Sequence, residues 1–329
     1  MRRPCSLQQG RVSISGVGSS HQSEPMTGGV SQVQSVPEKG ELVTIGMPVR
    51  NGEEAVGDAL ASLLGQTYGN FELIISDNAS TDRTGDICKE YERQDRRVRY
   101  SRNEQDIGLI NNFNRVLGMA RGGLFMWAAY DDLWEPEFVE CLVEALRDQP
   151  DAVLAFSQQD YVNRSTGEKR GSRSLLPFSE PQDAFRRSIR FLLNGRCKGN
   201  MLLGVIRRQA LEEVGGWYNG VNRRGKEWTC CDNHTLFRLA SGGRFCIVDR
   251  LLFHKGFRPS FQERLSRFPR DGEPDLSYRG YLEDITTSDL KEVEKTVLRV
   301  AAFVNHLKER VETVYCKVRL FKELWLEYK

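Results

Sequence analysis

The sequence predicts an α/β fold: a mostly parallel sheet flanked by helices, with a long helical tail. Three observations carry that reading. Short β-rich runs alternate with amphipathic stretches from residue 42 to 156; strands alternating with helices of about 10–15 residues build right-handed β-α-β units. Predicted strands end in polar loops rich in Asp and Asn, and ligands of such sheets sit beyond the carboxyl ends of the strands. Near the C-terminus, apolar side chains recur at a strict seven-residue interval, the mark of a long helix.

Taken in order, residues 1–40 hold eight Ser, six Gly, five Gln and three Pro and no aromatic residue. Such a stretch buries too little apolar area to offset its ordering entropy and is expected to be a disordered extension. The texture changes at Glu41. A strand over 42–47 leads into a helix with Val56, Leu60, Leu63 and Leu64 on one face. Strands follow at 71–76, 98–101, 124–129 and 152–156, separated by helices at 82–93, 107–120 and 135–146. These make the first half of a domain spanning 41–260, divided at about residue 157.

The second half, 158–260, is less regular. A linker over 177–183 precedes a basic amphipathic helix at 184–193, where Arg186, Arg187 and Arg190 oppose Phe185, Ile189 and Leu192. A strand at 201–206, a short helix at 208–214 ending in Gly215-Gly216, a helix at 232–240 stopped by Gly242-Gly243, and a strand at 244–249 complete it. Residues 261–287 read as a linker. From 288 to 329 the a positions are Leu290, Val297, Val304, Val311, Val318 and Trp325, and the d positions Val293, Val300, Leu307, Val314, Phe321 and Tyr328. Asp289 with Glu292 opens this helix as a capping box. Its stripe either meets another chain, as in a homodimer, or folds back on its own domain.

Composition excludes several classes. Lys+Arg 47 against Asp+Glu 45 gives a formal charge of +2 over 329 residues, no footprint for nucleic acid. No run approaches the roughly 18 apolar residues of a membrane span, and no apolar segment follows Arg2 and Arg3 as a secretory signal requires. The expected location is cytoplasmic, with at most peripheral contact at the inner membrane face through the basic helix. The eight cysteines form no C-x-x-C pair and no zinc spacing, so most are expected to be buried thiols. Gly220 to Lys226 fits a phosphate-loop pattern, but Glu227 replaces the Ser/Thr that would bind magnesium.

The chemistry is expected in three loops that end strands of one sheet: 48–53, 76–82 and 129–132. Paired carboxylates converging there suit a divalent cation with oxygen ligands, magnesium or manganese carrying a diphosphate. Asp82 and Asp132 also stand where helix N-caps fall. Asp77 and Asp131 lie outside the helix starts and are the stronger functional candidates.

With these residues in view, 42 to about 260 resembles a family 2 glycosyltransferase of the GT-A fold, an inverting class that includes bacterial polysaccharide glycosyltransferases. The resemblance rests on MPVRNGE, ELIISDNASTD, NEQDIGLINNFNRVLGMARG and FMWAAYDDLWEP in order, then LLGVIRRQALEEVGGW and TCCDNHTLFRLASGGRF. It implies transfer of a hexosyl or deoxyhexosyl group from a nucleotide-diphosphate sugar, of UDP or dTDP type, to a glycan or lipid-linked hydroxyl in surface polysaccharide or glycoconjugate synthesis. Pro48, Arg50 and Asn51 would line the base and ribose pocket and Glu53 would close it. Asp77 would accept from the base imide, and Asn114 would lie near the nucleotide, though Phe113 replaces the Arg common before it. Asp131 would hold the metal, with Asp132 beside it and His254 as a further metal or phosphate contact. Ala129 stands where the family's Asp-x-Asp motif has its first Asp, which puts metal dependence in question. Asp232, opening a helix, matches the catalytic base, with His234 a candidate acceptor contact. The rival reading is an inactive GT-A scaffold assembling partners through a coiled-coil tail.

Overall fold

The computed structural model describes residues 40–164, 166–173, 183–193, 199–217, 231–257 and 274–307. The expectations for 1–39, for the 177–182 part of the linker, for 220–227 and for 308–329 fall outside them.

The first half is the predicted alternation. It runs β1 (Val43–Val49), α1 (Val56–Leu64), β2 (Phe71–Asp77), α2 (Thr84–Gln94), β3 (Val98–Arg102), α3 (Leu109–Gly118), β4 (Leu124–Trp127), β5 (Leu133–Trp134) and α4 (Phe138–Asp148). All seven residues of β1 and of β2 are buried, as expected of parallel strands covered on both faces. β3, β2, β1 and β4 are parallel neighbours in that spatial order. The chain thus winds outward from β1 to β3 and then crosses to β1's other side. That reversal is a topological switch point, where open α/β sheets leave a crevice.

The second half makes the sheet mixed rather than mostly parallel. β6 (Ala152–Asn163), β7 (Lys169–Arg173), β8 (Val205–Arg207) and β9 (Arg244–Phe257) join it, with α5 (Ala184–Leu193), α6 (Arg208–Glu213) and α7 (Cys231–Gly242) between them. β8 is antiparallel to both β4 and β6, β9 is parallel to β6, and β5 is antiparallel to β9. The expected strand over 201–206 is instead a 3-10 turn, Gly199–Leu203, followed by β8. The strand expected over 244–249 extends to Phe257, because β6 pairs with it as far as Asn163. Its last residues thereby reach β5 and the loop after β4.

Two further expectations change. The segment read as a linker contains a helix, Pro274–Thr287. It packs on α7: Arg238 pairs with Asp284 at 2.8 Å, and Tyr281 stacks on His234 at 4.3 Å between ring centroids. The chain breaks over 288–290 and is helical again over 292–307. Arg187 is also not a surface charge, since its guanidinium donates to the Ala240 and Ser241 carbonyls that end α7. The basic helix is therefore partly a cap for its neighbour. Cys88 and Cys246 are free and buried, their thiols pushed up to about 12 by burial. No helix among the described residues is long and apolar enough to cross a membrane.

Gly46 sets the spacing beside the crevice. A Cβ there would lie 2.8 Å from the Phe125 ring and from Val116, so β1, β4 and α3 approach as closely as they do only around hydrogen. We expect Gly46→Ala to cost about 1–3 kcal/mol by overpacking. Urea unfolding should show a lower midpoint at an unchanged slope; an unchanged midpoint would refute the close approach.

Candidate active site

β1 pairs with β4 only as far as Gly46, opposite Trp127, while β1 and β2 stay paired to Asp77. Beyond that point β4 no longer covers residues 47–49. Pro48, which has no N–H for a ladder, is tolerated at such a strand end. The opening becomes a cleft of about 490 Å³ lined by Pro48, Val49, Arg50, Asn78, Asp106, Gly108, Leu109, Asn112, Phe113, Ala129 and Tyr130.

The loops after β1 and β2 are stitched together beside this cleft. The Asn51 N–H donates to Ser80 Oγ at 3.0 Å, and Gly52 N–H to Thr84 Oγ1 at 2.8 Å. Asn51 Oδ1 accepts from Thr81 N–H at 2.9 Å, and Glu53 accepts from Arg83 N–H at 3.0 Å. Asp82 accepts from Glu53 N–H at 3.1 Å and from Thr84 N–H at 3.0 Å, so it serves both the stitch and the first turn of α2. Asn51 and Ala79 hold left-handed backbones at φ 50° and 57°. Asn tolerates that region; Ala does so at a cost of order 1 kcal/mol. Gly52 leaves room for the Tyr130 ring, which would lie 2.6 Å from a Cβ. All three polar loops therefore meet at one place.

Within this frame the expected residues separate. Pro48 and Arg50 line the cleft, and Arg50 is ion-paired with Asp106. Asn51 and Glu53 do not line it; their side chains hold the second loop. Asp77 is fully buried with its carboxylate engaged inward. It accepts from Ser80 N–H at 2.8 Å, Tyr100 Oη at 2.7 Å and Arg102 Nη1 at 3.0 Å. Burial pushes its carboxyl up, but the Ser80, Tyr100 and Arg102 hydrogen bonds outweigh it and hold the group below the usual range. Asn78, one residue on, lines the cleft instead. Asn114 is also diverted: its amide exchanges two hydrogen bonds of 2.8 Å with the main chain of Trp217, clamping the acceptor-side loop to α3.

The two acidic residues after β4 differ sharply. Asp132 is not a helix N-cap, because β5 intervenes and α4 starts only at Phe138. It is buried against Lys255 Nζ at 3.0 Å and Gly256 N–H at 2.9 Å. Burial chiefly, with Asp131 adding, raises its pKa to about 6 against the pull of Lys255, and the pair fixes the loop to β9. Asp131, part-exposed, has no hydrogen bond or ion pair with a described residue. His254, expected as a metal or phosphate contact, is held by two carboxylates. Its Nδ1 is 2.6 Å from Asp160 and its Nε2 is 2.8 Å from Glu135, so both ring nitrogens are engaged. No group of three or more His, Cys, Asp or Glu among the described residues could hold a metal.

Asp232 lies in the first turn of α7 and accepts from Asn233 N–H at 2.8 Å. Burial raises its pKa. A chain of contacts ties this turn to the cleft. Thr235 reaches the Gly216 carbonyl at 3.5 Å, and the next residue, Trp217, packs its ring 4.3 Å from Phe113 and 4.9 Å from Trp127. His234 is stacked in the interior under Tyr281 rather than presented to an acceptor. Asn78, Asp106, Asn112 and Phe113 were not singled out from the sequence as lining residues. The signal for Asn78 lay in SDNASTD after the second strand, and that for the other three in NEQDIGLINNF, which follows the third strand at the same sheet edge.

Comparison with known proteins places this geometry in a family. Residues 44–215 match Glycosyl transferase family 2, and the chain belongs to that family. It is 36% identical over 93 residues to an Escherichia coli enzyme, the UDP-Glc:alpha-D-GlcNAc-diphosphoundecaprenol beta-1,3-glucosyltransferase WfgD; the match covers 28% of this chain and 36% of that one. Among solved structures, S. aureus TarS 1-349 in complex with UDP-GlcNAc superposes with a TM-score of 0.61 at 19% identity, over 81% of this chain and 72% of that one. The mannosyltransferase PcManGT from Pyrobaculum calidifontis in complex with GDP-Man and Mn2+ does so at 0.54 and 15%, over 88% and 81%. At these identities the structural likeness speaks to the fold, which is GT-A-like. Matches to the first eight curated relatives span between 15% and 48% of their lengths.

Asp77 provides a test of the stitched frame. A depressed folded pKa contributes stability that is present above the unfolded value, about 3.9, and is lost as pH falls through the lower folded value. Asp77→Asn should therefore lower stability by about 1–3 kcal/mol at pH 7, with the difference from wild type shrinking below about pH 4. Thermal unfolding across pH checks it; a difference independent of pH would refute the assignment.

Proposed function

We propose that the chain is an inverting glycosyltransferase. It takes a sugar, hexose or deoxyhexose, from a uridine- or thymidine-diphosphate donor bound in the β1/β4 cleft. The acceptor is a hydroxyl of a glycan or lipid-linked saccharide in surface polysaccharide or glycoconjugate synthesis. The observation that carries this reading is the cleft itself: a pocket at the switch point of a family 2 fold, lined by Arg50 and Asn78 and by Ala129 and Tyr130 of the loop that carries Asp131. The names of relatives support the donor and acceptor classes, since WfgD uses UDP-Glc on a diphosphoundecaprenol-linked sugar and TarS was captured with UDP-GlcNAc.

The residues divide the work as follows. The planar Arg50 guanidinium, held by Asp106, stacks over the base. Pro48 and Val49 form the floor, and Asn78 and Asn112 offer amide groups to base or ribose. Asn51, Glu53 and Asp77 keep these groups in register without touching the donor. The donor set fits magnesium or manganese held by Asp131, because such ions bind through one or two carboxylates and complete their shells with substrate phosphates and water. That ion would offset charge on the departing diphosphate. Asp232 takes the proton from the acceptor hydroxyl as that oxygen attacks the anomeric carbon. A carboxylate whose pKa is raised by burial is a stronger base once ionised, which suits the role.

Asp232→Asn should abolish transfer, by 10²-fold or more, while nucleotide binding by calorimetry stays within about twofold of wild type. Full transfer in that variant would remove Asp232 from the chemistry. In the wild type, kcat should fall on the acid side with a midpoint above the ordinary aspartate value of about 3.9, because the ionised form is the active one. Asp131→Ala should weaken metal-dependent donor binding by about tenfold or more, a loss of about 1.4 kcal/mol. Equal donor affinity with and without manganese in the wild type would rule out the metal assignment.

A further inference from the structure

The cleft assigned to the donor has two ends, set by the order of the strands. β3 and β4 lie on opposite sides of the paired β2 and β1. The loop after β4 brings Ala129 and Tyr130 to one wall, followed in the chain by Asp131; the loop after β3 brings Asp106 and Gly108 to the other. Among the described residues that line the cleft, Asp106 alone carries a carboxylate. Its charge repels a diphosphate. The β3 end therefore suits the uncharged nucleoside, and the β4 end suits the phosphates.

Asp106 is braced but not saturated. Its Oδ2 is ion-paired with Arg50 Nη1, and its Oδ1 accepts from Asn78 Nδ2 and from Gly108 N–H, the latter at 2.9 Å. A carboxylate has about four lone-pair sites, and no other described residue donates to this one. The side chain is 39% exposed, so the remaining site is open to an occupant of the cleft. That occupant must bring a donor, either a base imide N–H or a ribose hydroxyl. Arg50 separates the two. Stacked over the base, its guanidinium lies outside the base plane and holds the carboxylate outside it, whereas the imide N–H lies within it. Ribose hydroxyls project out of that plane. The 2′-hydroxyl stands on the carbon next to the base, and the 3′-hydroxyl next to the carbon that bears the phosphate arm. The β3 end therefore meets the 2′-hydroxyl.

We infer that Asp106 accepts a hydrogen bond from the ribose 2′-hydroxyl of the donor and so selects a ribonucleoside diphosphate, UDP, over a 2′-deoxy one, an assignment that rests on the donor reading of this cleft. A carboxylate suits the task, because a hydrogen bond to a charged acceptor is stronger than one to a neutral acceptor. Carboxylates read the ribose 2′-hydroxyl in the same way at the strand ends of other α/β sheets. Arg50 offsets the charge that Asp106 brings into the cleft.

Calorimetric titration of UDP, 2′-deoxyuridine diphosphate and CDP, with manganese present, into wild type, Asp106→Asn and Asp106→Ala tests this. Wild type should bind UDP about tenfold or more tighter than the 2′-deoxy form. In both variants that ratio should fall to about twofold or less. Asp106→Asn keeps an acceptor for Gly108 N–H and so guards against a collapsed loop in Asp106→Ala. A carboxylate that only braces Arg50 and Asn78 would weaken all three nucleotides together; an unchanged ratio in the variants would overturn the inference. Equal affinity of wild type for UDP and its 2′-deoxy form would overturn it too, while leaving the donor reading intact. A preference for UDP over CDP that vanishes in the variants would give the open site to the base imide and contradict the ribose assignment. No binding of any of the three to wild type would overturn the donor reading and the inference with it.

Discussion

The site depends on one event in the sheet: β4 leaves β1 at Gly46 while β2 stays paired to Asp77. Everything needed for a ligand follows from that divergence. The last residues of β1 lose a neighbour, and a crevice opens that both α3 and the loop after β4 can reach. Gly46 allows Phe125 and Val116 to close the layer directly beneath it, so the floor is dense where the mouth is open. The same residue type recurs at Gly52, where Tyr130 comes against the backbone. Absent side chains at two positions thus shape the wall and the joint of one cleft.

Around that opening, charge serves order more than chemistry. Asp82, Glu53 and Asp132 accept from main-chain N–H groups of neighbouring loops or strands, and Asp77 from Ser80 N–H of its own loop. Burial would discourage ionised carboxylates at Asp77 and Asp132, and both are stabilised by the hydrogen bonds they receive. A cleft bounded by loops needs such ties, because loops left to themselves lose precision through chain entropy. The contrast with Asp131 is informative. Its side chain has no hydrogen bond or ion pair to a described residue, though its charge acts on Lys255 and Asp132, and it stands one position from Asp132, whose pairing with Lys255 anchors the loop.

The first half of the fold was legible in the sequence because parallel, doubly covered strands read as apolar runs and their helices as amphipathic ones. The strand-end loops were legible for the same reason: polar clusters such as SDNASTD stand out between apolar runs. Which side chains face the cleft was not. Asp77 and Asn78 are adjacent, and only the positions of Tyr100 and Arg102 on the next strand decide that the first turns inward. The hydrogen bonds of Asn114 could not be read either, because its partner, the Trp217 main chain, lies 103 residues away. Nor could the sequence show that strand pairing brings Asp160 of β6 and Glu135 after β5 to the two ring nitrogens of His254. The helix Pro274–Thr287 was read as linker because its helical periodicity is weak and its stability comes from α7 rather than from its own pattern. The heptad was plain, but sequence alone left open whether it faced home; over 292–307, the part described, Leu298, Ala301 and Ala302 are buried while Val293 and Val300 are exposed.

The central claim is that the β1/β4 cleft holds the nucleotide of the donor. Calorimetric titration of UDP and dTDP into wild type and into Arg50→Ala, with manganese present, addresses it most directly. Wild type should bind a pyrimidine nucleoside diphosphate saturably, and the variant should lose about tenfold or more in affinity, the equivalent of one charged contact of about 1.4 kcal/mol. Equal affinity in the two proteins, or no binding of either nucleotide, would contradict it.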